Sequence, residues 1–172
     1  LNQKGMRALI LDLRNNPGGI LSNAVEIASF FLPEQLPVVK VVDRNGKEEV
    51  LSTLGKNLIP SQLPMVVLVD QGSASASEVL SAALQEYKRA TLIGVKTFGK
   101  GLVQSVISLQ DGSGLVITTK RYLTAHGLDI DKQGITPDVV VPSDVSSQTD
   151  LQFQHALNYL QNKLQPVANS IL

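Results

Sequence analysis

Pro64-Met65-Val66-Val67-Leu68-Val69-Asp70-Gln71-Gly72-Ser73-Ala74-Ser75-Ala76-Ser77-Glu78-Val79-Leu80 passes through three kinds of local structure. The apolar run Met65 to Val69, opened by a proline, predicts a buried strand. Asp70 to Ala74 is small and polar and predicts a loop, beyond which Val79, Leu80, Ala83 and Leu84 recur at helical spacing. The same order is predicted upstream. Ala8 to Leu13 is a short apolar run, Asn15-Asn16-Pro17-Gly18-Gly19 is a tight loop, and Leu21, Ala24, Val25, Ala28 and Phe31 follow at three- and four-residue steps. Ser22 or Asn23 is expected to cap that helix and Pro33 to stop it. The two passages share a pattern but not residues, so they do not form a sequence repeat.

Outward from these units, Val38 to Val42 and Lys47 to Leu51 flank Asp43-Arg44-Asn45-Gly46, which predicts a hairpin. A short strand is expected at Thr91 to Gly94. A second hairpin is expected from Val103 to Leu109 and Leu115 to Arg121, joined through Asp111-Gly112-Ser113-Gly114. Tyr122 to Pro142 reads as irregular. Asp150 to Leu164 reads as a terminal helix with Phe153, Leu157, Leu160 and Leu164 on its apolar side. The class is mixed α and β.

Composition narrows the chemistry. A chain of 172 residues, 43% hydrophobic and 17% charged, suits one folded domain. Lys plus Arg and Asp plus Glu each total 15, so no net field favours nucleic acid or an anionic membrane. Apolar stretches fall far short of the roughly 20 residues that span a bilayer, so no membrane anchor is expected within this chain. The absence of cysteine excludes a thiol nucleophile, a disulfide frame and a thiolate metal site. Only His126 and His155 are available to an imidazole-based site. The first residue is Leu, with no signal-type segment after it, which reads as a piece of a longer protein.

Two loops carry residues with chemical potential. Ser75 lies where a strand turns into a helix, near helix N–H groups that stabilise developing negative charge. Ser75-Ala76-Ser77-Glu78 also fits a capping box, in which the serine merely begins the helix. Lys100 stands between Gly99 and Gly101, close in sequence to Phe98, Leu102 and Val103. A lysine in an apolar setting is disfavoured as the ammonium and serves as a base for a neighbouring hydroxyl, whereas an ordinary loop lysine is solvated. Gly94 to Lys100 also matches seven positions of a phosphate-cradling loop, but Gly101 replaces the Ser or Thr that should hold magnesium.

Four blocks carry a resemblance: Asp12-Leu13-Arg14-Asn15-Asn16-Pro17-Gly18-Gly19, Gly72 to Glu78, Thr97-Phe98-Gly99-Lys100-Gly101-Leu102-Val103-Gln104, and Gly134-Ile135-Thr136-Pro137-Asp138. In this order they resemble the carboxyl-terminal processing, or tail-specific, proteases, over roughly Met6 to Val141. The resemblance implies a Ser-Lys dyad, with Ser75 as nucleophile, Lys100 as general base and Gln104 orienting the lysine. It implies an oxyanion hole from the backbone N–H groups of Gly19 and Ala76. Asp12 and Arg14 are expected to anchor their loop, Arg14 having substrate contact as a second reading. His126 and His155 are not carried over as catalytic, and Ser73 and Ser77 are expected to be turn and helix-start hydroxyls.

The family fold so implied is a crotonase/Clp-protease-like α/β core with a curved mixed sheet and flanking helices, here residues 1–172 as a single protease core domain. The implied function is a serine endopeptidase cleaving near the C-termini of protein substrates with unstructured tails, without metal or organic cofactor. The other reading is an isolated non-catalytic scaffold or peptide-binding domain. The resemblance further implies a PDZ domain elsewhere in the full-length chain as partner. It places the protein outside the cytoplasm, in a bacterial periplasm or cell envelope or a thylakoid lumen.

Overall fold

The computed structural model describes residues 5–56, 58–143 and 149–165. Along the chain run β1 (Leu9–Asp12), α1 (Leu21–Ala28), β2 (Pro37–Asp43), β3 (Glu48–Ser52), β4 (Met65–Val69), α2 (Ala76–Glu86), β5 (Thr91–Gly94), β6 (Leu102–Ser108), β7 (Gly114–Thr124), β8 (Val139–Val140) and α3 (Leu151–Leu164). The expected α/β class is found, with the strands divided between two sheets. One is parallel in the order β1-β4-β5-β8, and the other is antiparallel in the order β3-β2-β7-β6.

The unbroken apolar run of β4 has a physical cause: it is a central strand covered on both faces. Met65, Val67 and Val69 face a core shared with Ala24, Val25 and Ala28 of α1, Val79, Ala83 and Leu84 of α2, and Val39 and Tyr122 of the antiparallel sheet. Val66 and Leu68 face the other way, against Ala156 and Leu160 of α3. Helices α1 and α2 therefore share one face of the parallel sheet, and α3 covers the other. Each fully buried Val or Leu in β4 contributes about 2 kcal/mol of transfer free energy.

Both hairpins form where the turn residues predict them. Asp43 Oδ1 accepts from the N–H groups of Asn45 and Lys47, and within the Asp43–Gly46 turn only Gly46 takes a positive φ. Asp111 accepts from the N–H and hydroxyl of Ser113.

Four expectations need correction. Helix α1 is capped at Ile20 rather than by Ser22 or Asn23, and it ends at Ala28. The Ser29 hydroxyl bonds back to Val25 O at 2.7 Å and accepts Leu54 N–H, which ties the helix end to the strand connection. Strand β7 runs three residues past Arg121 because Tyr122, Leu123 and Thr124 pair with Val41, Lys40 and Val39. The stretch read as irregular also supplies β8, the edge of the parallel sheet. On α3 the buried residues are Gln152, Ala156 and Leu160, while Phe153 is exposed. The Gln152 amide is drawn inward by Val141 O and Arg14, a polar anchor that an apolar count does not register. No helix among the described residues is long and apolar enough to cross a membrane.

Candidate active site

Parallel strands β1, β4 and β5 are neighbours, so the loops leaving their C-terminal ends emerge side by side, where open α/β sheets place their sites. The loops are interlocked. Asp70 Oδ1 accepts from the N–H groups of Asn15 and Gly72, at 2.8 and 2.9 Å. The fully buried Ser73 hydroxyl donates to Leu13 O and accepts from Asp70 N–H. Ala74 N–H donates to Asn16 O, and Phe98 N–H donates to Ser73 O.

Ser75 stands at the N-cap of α2 with φ 55° and ψ −119°, a conformation that costs a non-glycine residue on the order of 1–3 kcal/mol. Its surroundings hold it there. Glu78 donates its N–H to Ser75 O at 2.9 Å, and its carboxylate reaches back to Ser75 N–H. That carboxylate is fully buried and accepts four hydrogen bonds. Oε1 accepts from the Thr97 hydroxyl (2.5 Å) and Gly99 N–H (2.7 Å), and Oε2 from the N–H groups of Ser75 and Lys100, each at 2.8 Å. A buried carboxylate is tolerated only when so satisfied. Glu78 thus joins the serine turn to the lysine loop.

Gly18 lies against the same turn. A Cβ on it would sit 2.5 Å from Ala74 O and 2.7 Å from Ala76 N, and its φ is +87°, so only glycine fits. Gly19 follows at the surface, and Ala76 opens α2, where backbone N–H groups lack intrahelical partners. Beside them a recess of about 150 Å³ is lined by Leu13, Ile20, Ala24, Ile27 and Leu80 and by the polar Asn16, Asn23 and Ser77.

The lysine loop differs from expectation in one respect. Phe98 is 66% exposed and Lys100 is exposed, so the described residues form no apolar cover around the amine. The N–H groups of Gly99 and Lys100 turn inward to Glu78, and Lys132 N–H donates to Gly99 O. Gly101 presses its backbone against Asp131, whose N would lie 2.3 Å from an added Cβ. With the backbone facing in, the side chains of Phe98 and Lys100 face out. Gln104 lies on β6, also exposed, beside a register shift between Val103 and Gln104. The phosphate-loop reading fails, since the chain after Lys100 enters β6 and not a helix.

The fourth block completes the arrangement. Ile135 N–H donates to the Thr97 hydroxyl at 2.7 Å, while Asp138 accepts from Leu92 N–H and the Gln85 amide. The four blocks are therefore four parts of one hydrogen-bonded cluster.

Arg14 has the anchoring role expected of it. Its five side-chain N–H donors are all used, on Asp12, Asp150 and Gln152, so none is left for a substrate. The carboxylates hold the guanidinium pKa above its ordinary value, and Arg14 in turn holds the Asp150 carboxyl below its own. His126 packs edge-on against Tyr87, and its backbone N–H donates to the Glu86 carboxylate. His155 is an exposed residue of α3.

Sequence reasoning identified Glu78 only as half of a capping box and assigned nothing to Asp70 or Thr97. The Ser-x-x-Glu spacing was the one legible signal. The other three bonds of Glu78 come from residues 19 to 22 positions away.

The profile of Peptidase family S41 matches residues 1–141. The carboxyl-terminal-processing protease of Synechocystis sp. is 46% identical over 166 residues, covering 93% of this chain and 38% of that protein. Carboxyl-terminal-processing peptidase 2, chloroplastic, of Arabidopsis thaliana is 45% identical over 142 residues, covering 83% of this chain and 27% of that protein. Among solved structures, the photosystem II D1 C-terminal processing protease aligns with a TM-score of 0.75 at 42% identity, covering 82% of this chain and 36% of that one. The chain therefore spans well under half the length of these relatives.

Proposed function

Because this chain belongs to peptidase family S41, whose members are serine proteases, we propose that it is the catalytic part of an endopeptidase that trims the C-terminal ends of protein substrates. The observation that carries this reading is the Ser75 turn, strained and held to the Lys100 loop through one buried carboxylate. In the proposed reaction the Ser75 oxygen bonds to the substrate carbonyl carbon as its proton passes to the Lys100 amine. The proton then goes to the leaving amino group as the C–N bond breaks, and water repeats the attack on the ester. The N–H groups of Gly19 and Ala76 receive the oxyanion, and Gln104 orients Lys100. The recess between α1 and α2 fits a small apolar side chain next to the scissile bond. No metal or organic cofactor takes part. Lys100 needs apolar cover to act as a base, and a bound substrate would supply it.

The longer protein in which this core works would add a PDZ domain that captures unstructured C-termini, and would act outside the cytoplasm. Neither feature is needed for the chemistry above.

The test uses the full-length protease and a soluble peptide with an unstructured C-terminal tail. Ser75→Ala, Lys100→Ala and the double variant should each lose about 10³-fold or more in kcat/KM, without additivity. Lys100→Arg should not rescue, because guanidinium stays protonated, and His126→Gln should cleave normally. Substantial turnover by Ser75→Ala would move the nucleophile away from Ser75, and a parent protein that binds the peptide without cleaving it would replace this reading with the non-catalytic scaffold.

A further inference from the structure

We propose that Asp150, at the start of α3, is a positioning residue for the Asn15–Gly19 loop, acting through Arg14. The catalytic consequence rests on the function proposed above; the positioning itself does not.

Asp150 has two separable roles. As N-cap it accepts Phe153 N–H on Oδ1 at 3.0 Å, a task that Ser or Asn performs equally well. As a partner of Arg14 it uses both oxygens, each at 2.8 Å, and it lies 136 positions away in sequence. Asp12 grips the other edge of the same guanidinium at 2.9 and 2.7 Å and also accepts Arg14 N–H. Arg14 is thus clamped between β1 and α3.

The next residue, Asn15, takes φ 53° and gives its N–H to Asp70. Two consecutive residues at the loop's origin are therefore fixed from different directions, by α3 and by the β4 loop. Asn16 then accepts Ala74 N–H on its carbonyl and Gly18 N–H on its side chain. Gly18 leaves no room for even a methyl group against the Ser75 turn. Loosening Arg14 frees the loop origin on one side and lets Gly18 and Gly19 drift from Ala76. A donor pair for an oxyanion tolerates little drift, since misplacement of about 1 Å costs on the order of 10²-fold.

The experiment compares Asp150→Ser, Asp150→Asn and Leu160→Ala in the full-length protease, well below the unfolding temperature of each. Ser keeps the cap but is too short to reach Arg14. Asn keeps the cap and one acceptor. Leu160→Ala weakens the packing of α3 without touching Arg14. Hydrogen exchange at the Asn15–Gly19 amides should accelerate about tenfold in Asp150→Ser, less in Asp150→Asn, and not in Leu160→Ala, while α3 amides stay protected in the two Asp150 variants. The kcat should follow the same order, falling about tenfold in Asp150→Ser with KM within about twofold, because the lost contact acts on the transition state. Unchanged loop exchange in Asp150→Ser would overturn the inference whatever the activity. So would an equal loss of kcat in Leu160→Ala, which would reduce the effect to stability. Accelerated exchange in a protein without Ser75-dependent cleavage would refute the protease reading and leave the positioning role standing.

Discussion

Ser75 and Lys100 direct their backbone N–H groups at one atom, Oε2 of Glu78, each at 2.8 Å. Their nitrogens can be no further apart than twice that distance. The serine that begins a helix and the lysine that precedes a β-hairpin are thereby fixed relative to each other through main chain.

Glu78→Gln keeps the shape of the clamp and changes its hydrogen-bond character. One end of the amide still accepts, but the other turns an NH₂ toward two donors on the opposite side. The variant should lose roughly 2–4 kcal/mol of stability and nearly all cleavage. Thermal unfolding and peptide turnover check this. Full activity with an unchanged unfolding temperature would mean that the carboxylate does not hold the two loops together.

Gly18 and Gly19 should respond differently to the same methyl group. Gly18→Ala drives Cβ into the backbone of Ala74 and Ala76, so either the loop or the Ser75 turn must move. A loss of roughly 1–3 kcal/mol, with a large drop in kcat, is expected. At Gly19 an added Cβ meets nothing within 4 Å, so Gly19→Ala carries only the strain of its φ of +157° and should lose less stability than Gly18→Ala. Equal unfolding temperatures for the two variants would contradict the close contact at Gly18.

The Asp150 carboxyl is held below its ordinary pKa, first by the Arg14 side chain and also by Phe153 N–H, against the opposing effect of partial burial. A carboxyl more acidic in the folded than in the unfolded chain adds stability that is complete above the unfolded value of about 3.9 and disappears as pH falls through the folded one. With the Asp150 side chain 46% exposed, solvent screening limits the effect to about 1 kcal/mol. The parent should therefore exceed Asp150→Ser in stability at pH 7, with the gap closing below about pH 4. Denaturant titrations from pH 7 to 2.5 measure it, and a gap independent of pH would show that the ion pair does not contribute.

The apolar period of β4 and α2, the turn residues of both hairpins and the Ser-x-x-Glu start of α2 are local properties, set within a few residues of each other. These elements, the order of the four blocks and the candidate serine and lysine are legible in the chain alone. The sequence did not reach the buried face of α3, because Gln152 is drawn in by partners at Val141 and Arg14 rather than by hydrophobicity. Nor did it reach the exposure of Lys100, which follows from a loop backbone turned toward Glu78. That Glu78 serves two loops, that Asp70 ties a third to them and that α3 reaches Arg14 emerges with the folded chain. A hydrogen bond between residues 55 or 136 positions apart leaves no periodicity in the chain: Asn15 meets Asp70 because the neighbouring strands β1 and β4 open their loops at the same edge of one sheet, and Arg14 meets Asp150 because α3 packs across one face of that sheet.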